Sequence, residues 1–332
     1  KVQPGLLLMG GGDRNFDALR WFMQRAGNGH IVVLRASQGG EIGEEFFNDV
    51  GGIKSVETFV FNDRDASTNP NILAALKRAD GIFLAGGDQS RYVRFWRGTP
   101  IAEALDAHVR AGKPLGGTSA GLAMQGEYLY GAMDGGSQAT PAALADPLGD
   151  GNTIETDFLH IAQLKGVITD THFSERARLG RLIAFVAKGE HIAGKPLIGL
   201  GVDEDAAVAV EADGRARVYA TAPGAGAIVV KGGFAQKQEE DSAMNLDRVD
   251  TVVAGVDSVL HLPDGRVEKP LAQRHYAVRD GVLVALDQPL LVLHGGAGVE
   301  PGDLTPAEEE AARAALREAL KAGYAKLQAG AS

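Results

Sequence analysis

Not one of the 332 residues is cysteine. Disulfides, thiolate metal sites and a cysteine nucleophile are therefore excluded. Positive charge is in deficit: 33 Lys and Arg stand against 43 Asp and Glu, a net charge of −10. That balance argues against a nucleic-acid backbone as partner and is compatible with small or cationic substrates. No apolar run approaches the ~20 residues that a membrane-spanning helix needs. The chain opens at Lys1 rather than Met, which leaves the compartment open. A cytoplasmic location is favoured, and a secreted or periplasmic one after signal removal is compatible. Glycine, by contrast, is abundant at 45 residues, and Gly pairs end several apolar runs, as tight strand-to-helix turns require. With 45% hydrophobic residues the chain can bury one large core or two ordinary ones.

The first two hundred residues alternate short apolar runs with helical patterns. Gly5 to Met9 leads into Gly10-Gly11-Gly12, and Ile31 to Leu34 leads into Ala36-Ser37. Gly81 to Ala85 leads into Gly86-Gly87-Asp88-Gln89, and Lys113-Pro114-Leu115 into Gly116-Gly117-Thr118-Ser119. Runs this short and this uniformly apolar fit parallel strands buried on both faces. Asn71 to Arg78 and Pro100 to Arg110 read as helices between them. Strand, Gly-rich turn and helix in repetition predict an open, mostly parallel α/β sheet with helices on both faces. Ligands of such sheets bind beyond the C-terminal strand ends, where these turns lie. From Glu204 to about Leu286 the pattern becomes sheet-rich, with hairpin turns at Asp213-Gly214 and Asp264-Gly265.

Gly117-Thr118-Ser119-Ala120-Gly121 fits the G-x-S-x-G pattern of a nucleophile elbow. Side chains at the flanking positions would obstruct so sharp a turn. The turn exposes the Ser hydroxyl and leaves the following N–H free for an oxyanion. A Gly-rich turn that merely closes a strand, with its hydroxyl capping a helix, fits the same pattern. A serine nucleophile needs a base. His172 follows the apolar run Val167-Ile168-Thr169, so it lies at a second strand end on the rim of Ser119, whereas His30, His108 and His191 read as packed or surface residues. Two acids qualify as the third member. Glu204 follows Gly199 to Asp203 at a strand end, and Asp134 lies in the loop after the serine. Chain order favours Asp134 by comparison with α/β-hydrolases, but triads are defined by geometry and not by order. The residues alone leave both open.

Five stretches together resemble the cyanophycinase and aspartyl dipeptidase family of serine peptidases: Gly86-Gly87-Asp88-Gln89, Gly117 to Gly121, Asp170-Thr171-His172-Phe173, Arg176 to Leu182 and Gly199 to Glu204. They occur in the family's order and span roughly residues 5 to 210. The resemblance implies a class I glutamine-amidotransferase-like fold and a Ser-His-Glu triad of Ser119, His172 and Glu204, with Asp134 demoted to a loop residue. The N–H groups of Gly87 and Ala120 are the expected oxyanion donors. The arginine run resembles cyanophycinase more than aspartyl dipeptidase. The implied substrate is a peptide rich in Asp and Arg: cyanophycin, a polyaspartate with arginine on each β-carboxyl, released as β-Asp-Arg dipeptides. Gln89, Asp170, Thr171, Arg176, Arg178 and Arg181 are the expected substrate-binding residues. Arg178 and Arg181, three apart, would share one helix face and clamp carboxylates, while Asp170 would meet a guanidinium. Without the family match, a solvated helix face is the simpler reading of these arginines. Thr171 stands where cyanophycinase has Gln, which leaves the exact substrate open. No metal, organic cofactor, nucleic acid or membrane is implied, and a homodimer is the expected assembly.

The boundary of this domain is expected at residue 286. Residues 287–332 resemble the opening of the isoaspartyl peptidase and plant-type asparaginase family, through Leu291 to Gly298 and a helix after Thr305. Those enzymes use a threonine further along the chain that is absent here, so the expectation is a fusion whose second hydrolase is only begun. Thr305, Pro306 and Glu308 spell a capping box, and Leu316, Leu320, Tyr324 and Leu327 would share a face.

Overall fold

A computed structural model describes residues 1–37, 40–234, 238–287 and 304–328. The chain divides into two compact units, Lys1–Val284 and Ala285–Ser332.

The first unit begins with five βα repeats. In chain order they are β1 (Leu6–Met9), α1 (Phe16–Arg25), β2 (His30–Arg35), α2 (Ile42–Glu44), β3 (Ser55–Val60), α3 (Pro70–Arg78), β4 (Gly81–Leu84), α4 (Gln89–Trp96), α5 (Pro100–Arg110), β5 (Leu115–Thr118) and the single turn α6 (Ala120–Ala123). The five strands pair in parallel in the order β1-β5-β4-β2-β3. Every residue of β1, β4 and β5 is buried, which explains why these strands read as uninterrupted apolar runs rather than alternating ones. Local chemistry sets the helix starts. Asn15 accepts the Ala18 N–H at 3.0 Å, Asn69 accepts the Asn71 N–H at 2.9 Å, and prolines open α3 and α5.

The next stretch comprises β6 (Leu129–Tyr130), α7 (Thr140–Ala145), β7 (Ile154–Glu155), β8 (Val167–Asp170), α8 (Leu179–Ala193) and β9 (Ile198–Val202). The strands β8 and β9 pair in parallel, but in a second sheet. The chain then crosses to the first sheet within three residues. Its next strand, β10 (Ala206–Val210), lies antiparallel against β1, and β11 (Arg215–Ala220) completes the hairpin predicted around Asp213-Gly214. The remaining strands are β12 (Ala227–Lys231), β13 (Leu246–Ala254), β14 (Val259–His261), β15 (Arg266–Glu268), β16 (Ala272–Arg279) and β17 (Val282–Ala285). They give a nine-stranded sheet, β15-β14-β11-β10-β1-β5-β4-β2-β3, and a six-stranded one, β17-β16-β13-β12-β9-β8. The open parallel α/β sheet is thus present, with the hairpins extending both sheets.

Alternation along the strands assigns the layers. Leu6 and Leu8 of β1 join one core with Leu200 and Val202 of β9 and Val229 of β12, so the two sheets share a hydrophobic layer. Leu7 and Met9 face the other way, onto Leu19, Phe22 and Met23 of α1. The outer face of the second sheet packs on α8, where Leu182, Ile183, Phe185 and Val186 are buried. In the second unit, α9 (Pro306–Gln328) has the expected capping box: the Thr305 N–H donates to Glu308 at 2.9 Å and the Glu308 N–H to Thr305 Oγ1 at 3.4 Å. Leu316 and Leu320 are exposed. The side chain of Leu327 and the stretch Leu291 to Gly298 lie outside the described residues. No described helix is long and apolar enough to cross a membrane.

Glu190 ties α8 to the second sheet. Its buried carboxylate accepts the N–H groups of Leu197 at 2.9 Å, Gly233 at 2.6 Å and Phe234 at 2.7 Å. Replacing it with alanine strands the two buried donors of Leu197 and Phe234, so Glu190→Ala should destabilise the domain by about 2 kcal/mol, measured as a drop in the urea midpoint. A change below ~0.5 kcal/mol, the level of an ordinary surface substitution, would show that these contacts carry no weight.

Candidate active site

Ser119 follows β5 directly. Its φ of 53° and ψ of −120° are a sparsely populated conformation for a non-glycine residue that costs roughly 1–3 kcal/mol. The flanking glycines permit it. A Cβ on Gly117 would lie 2.4 Å from the Gly121 carbonyl oxygen, and one on Gly121 would lie 2.1 Å from that of Leu84. The Ser119 N–H donates to the Met9 carbonyl at 3.1 Å, which fastens the elbow to the end of β1.

His172 lies beyond β8, at the end of the second sheet. Its Nε2 is 2.7 Å from Ser119 Oγ, and its Nδ1 is 2.5 Å from Glu204 Oε1. Of the two acids left open, Glu204 lies on the imidazole. Asp134 is exposed in its loop, where its Oδ1 accepts the Gly136 N–H at 3.3 Å. Burial of the imidazole lowers the His172 pKa below its ordinary value, and the hydrogen bond to Glu204 opposes this. The ring is therefore neutral at pH 7, the form that can take a proton from Ser119.

The Gly10-Gly11-Gly12 turn, anticipated only as a strand end, braces both partners. The Gly10 carbonyl accepts the His172 N–H at 2.8 Å, and that of Gly11 accepts the Asp205 N–H at 2.9 Å. Gly11 lies against the imidazole so closely that a Cβ there would sit 2.3 Å from Cε1 of His172. Asp203 is a second feature that the sequence did not single out. Only 2% exposed, its carboxylate accepts the N–H of Ser174, two residues past His172, at 2.9 Å and that of Gly226 at 3.0 Å. Its position directly before Glu204 was the available signal.

A cleft of about 230 Å³ opens at Ser119. Gly87, Gln89, Ala120, Thr171, Arg176 and Arg178 line it, together with the Gly135-Gly136-Ser137 segment that motif reasoning passed over. Gly87 has φ 141°, and a Cβ there would lie 2.5 Å from Ser37 Oγ. Ala120 opens α6, so its N–H has no partner within the helix. Both suit oxyanion donation. The cleft does not include Asp170 or Arg181. Arg181 is 2% exposed and binds Asp170 with two hydrogen bonds, Nε to Oδ2 at 2.8 Å and Nη2 to Oδ1 at 2.6 Å. Its guanidinium also lies against the rings of Tyr130 and Phe185. The two arginines therefore do not present one common face to a substrate. Arg178 precedes the first turn of α8 and reaches Thr171 O at 2.8 Å and, more weakly, Thr171 Oγ1 and Ser137 Oγ at 3.4 Å. Burial pushes its pKa down to about 10, which leaves it charged at neutral pH. Arg176 is half exposed, 3.9 Å from Glu204.

The profile of Peptidase family S51 matches residues 56–216, which include Ser119, His172 and Glu204. A cyanophycinase of Trichormus variabilis is 31% identical over 224 residues, 64% of this chain and 70% of that protein. The chain belongs to peptidase family S51. Another cyanophycinase, from Synechococcus elongatus, is 34% identical over 213 residues; the match spans 62% of this chain and 61% of that protein. In fold, the S51 chain resembles the crystal structure of a peptidase from an acI-B1 actinobacterium, with a TM-score of 0.50 at 14% identity, over 82% of this chain and 96% of that one.

Two measurements test the assignment of groups at this site. By NMR, His172 should titrate below 6.5, and Glu204→Gln should move the midpoint lower still, because it removes a contribution that favours the imidazolium. A midpoint at or above 6.5 contradicts the buried, neutral base. Arg181→Met should cost about 3 kcal/mol, since it removes both guanidinium hydrogen bonds from the buried Asp170 carboxylate and leaves Arg178, 3.8 Å away, as its counterion. Unchanged thermal stability would mean that the pair is not structural.

Proposed function

We propose that this chain is a serine peptidase that hydrolyses aspartyl peptide bonds, with cyanophycin as its substrate and β-Asp-Arg dipeptides as its products. The observation that carries this reading is the unbroken chain Ser119–His172–Glu204, at 2.7 and 2.5 Å, at the mouth of an arginine-lined cleft. The names of the similar cyanophycinases support the substrate.

The reaction is acyl transfer. Ser119 Oγ attacks the Asp α-carbonyl carbon as His172 Nε2 takes the hydroxyl proton, and Glu204 accepts the Nδ1–H and stabilises the imidazolium. The N–H groups of Gly87 and Ala120 receive the tetrahedral oxyanion. Collapse breaks the C–N bond, and His172 hands its proton to the leaving amine. Water, deprotonated by the same imidazole, then attacks the acyl-enzyme and frees Ser119. Arg176 and Arg178 attract the free α-carboxylates of the arginine units of cyanophycin, and Gln89 contributes polar contacts. In our proposal Thr171 lines the cleft wall, whereas Asp170 and Arg181 act on the substrate through Arg178 rather than by touching it.

An α-aspartyl dipeptidase is the second reading, favoured by Thr171 at the position where cyanophycinase has Gln. A non-catalytic domain of the same fold is the third. For residues 287–332 we propose the opening of an isoaspartyl-peptidase-like segment, whose family acts on the dipeptides that the first reaction releases. A homodimer and a cytoplasmic location complete the proposal.

Mass spectrometry of the products from purified protein and cyanophycin should reveal β-Asp-Arg, while Asp-Leu remains intact. Ser119→Ala should lower turnover by several orders of magnitude, and a fluorophosphonate should label wild type at Ser119 alone. Glu204→Gln should cripple turnover, whereas Asp134→Asn should be tolerated. Cleavage of Asp-Leu in place of cyanophycin would select the dipeptidase, and an unlabelled Ser119 would select the non-catalytic domain.

A further inference from the structure

Among the residues that line the catalytic cleft, one carboxylate occurs, and the acyl-transfer chemistry does not use it. That residue is Asp88. It follows Gly87 in the turn after β4, close to the nucleophile: a Cβ on Gly86 would lie 3.4 Å from that of Ser119. Its Oδ1 caps α4 by accepting the Ser90 N–H at 2.9 Å, and its own N–H donates to Ser37 Oγ at 3.1 Å. The side chain is exposed, and no described cation pairs with it. Asp170, the acid expected to receive a guanidinium, is occupied by Arg181 and lies outside the cleft lining. A cationic group that enters the cleft therefore meets one anion.

We propose that Asp88 is a specificity-determining residue that binds the guanidinium of an arginine-bearing substrate through the carboxylate oxygen not engaged in capping. The proposal rests on the peptidase reading and deepens it. Asp88 comes from the turn after β4, whereas Arg176 and Arg178 come from the segment after β8. Ser119 lies between, in contact with His172 and close to Gly86. The cleft thus offers an anion and two cations from different elements. A substrate unit that carries both a carboxylate and a guanidinium gains attraction in one orientation and repulsion in the reverse. An acid next to an oxyanion donor disfavours negative charge there, so helix capping alone does not account for the choice of Asp. Asparagine caps equally well without the charge.

That equivalence makes the test clean. Binding of β-Asp-Arg and of β-Asp-citrulline, its neutral isostere, is measured by calorimetry on the full chain carrying Ser119→Ala, which cannot consume either. The arginyl dipeptide should bind roughly tenfold more tightly, the lower end of what a charge-assisted hydrogen bond supplies. Adding Asp88→Asn should bring the two affinities together while the melting temperature stays put. Equal affinities with Asp88 present, a preference that survives Asp88→Asn, or no binding of the arginyl dipeptide would each overturn the proposal. Failure of the peptidase reading is recorded separately, as wild type that neither cleaves cyanophycin nor reacts with fluorophosphonate.

Discussion

The candidate active site depends on the seam between two β-sheets. Ser119 ends a strand of the nine-stranded sheet, His172 follows the end of a strand of the six-stranded one, and Glu204 sits in the three residues through which the chain passes from β9 to β10. Proton transfer needs these groups within hydrogen-bond reach, so the sheets must be held in one relative position. The shared layer of Leu6, Leu8, Leu200, Val202 and Val229 supplies the bulk adhesion. Hydrophobic contact is non-directional, however, and does not fix a rim to within an ångström.

Directional contacts do that. The carbonyls of Gly10 and Gly11 hold the segments of His172 and Glu204, and the buried Asp203 carboxylate bonds Ser174 on one side and Gly226 on the other. The absence of a side chain at Gly11 is part of the same fit, because the imidazole occupies the space a Cβ would need. Each of these groups touches His172 or the backbone next to His172 and Glu204. They are the support that a preorganised site requires.

Charge is arranged with equal economy. Arg181 and Asp170 neutralise one another inside the protein and are shielded by Tyr130 and Phe185. Arg178, whose hydrogen bonds are longer, and the half-exposed Arg176 line the open cleft. Positive charge thus grades from structural to available along six residues, Arg176 to Arg181, which the sequence presents as one motif.

Much was legible beforehand. Apolar runs ending in glycines are a property of buried parallel strands, and they marked the strand ends where the site lies. The glycines around Ser119 have a local steric cause, so G-x-S-x-G located the elbow without tertiary information. The helix read from Asn71, which starts one residue earlier at Pro70, the helix start at Pro100 and the Thr305–Glu308 cap are equally local. The choice between Glu204 and Asp134 was not open to that reasoning. Which carboxylate reaches an imidazole depends on a crossover between sheets, and no periodicity encodes it. The split between Arg178 and Arg181 was hidden for a related reason: helical spacing puts both on one face but does not say that Tyr130, Phe185 and Asp170, from other segments, close over the second. What the sequence by itself determined were the strand ends, the elbow and the residue types. What the tertiary structure alone decided was which of them meet, because those distances are set by packing between segments far apart in the chain.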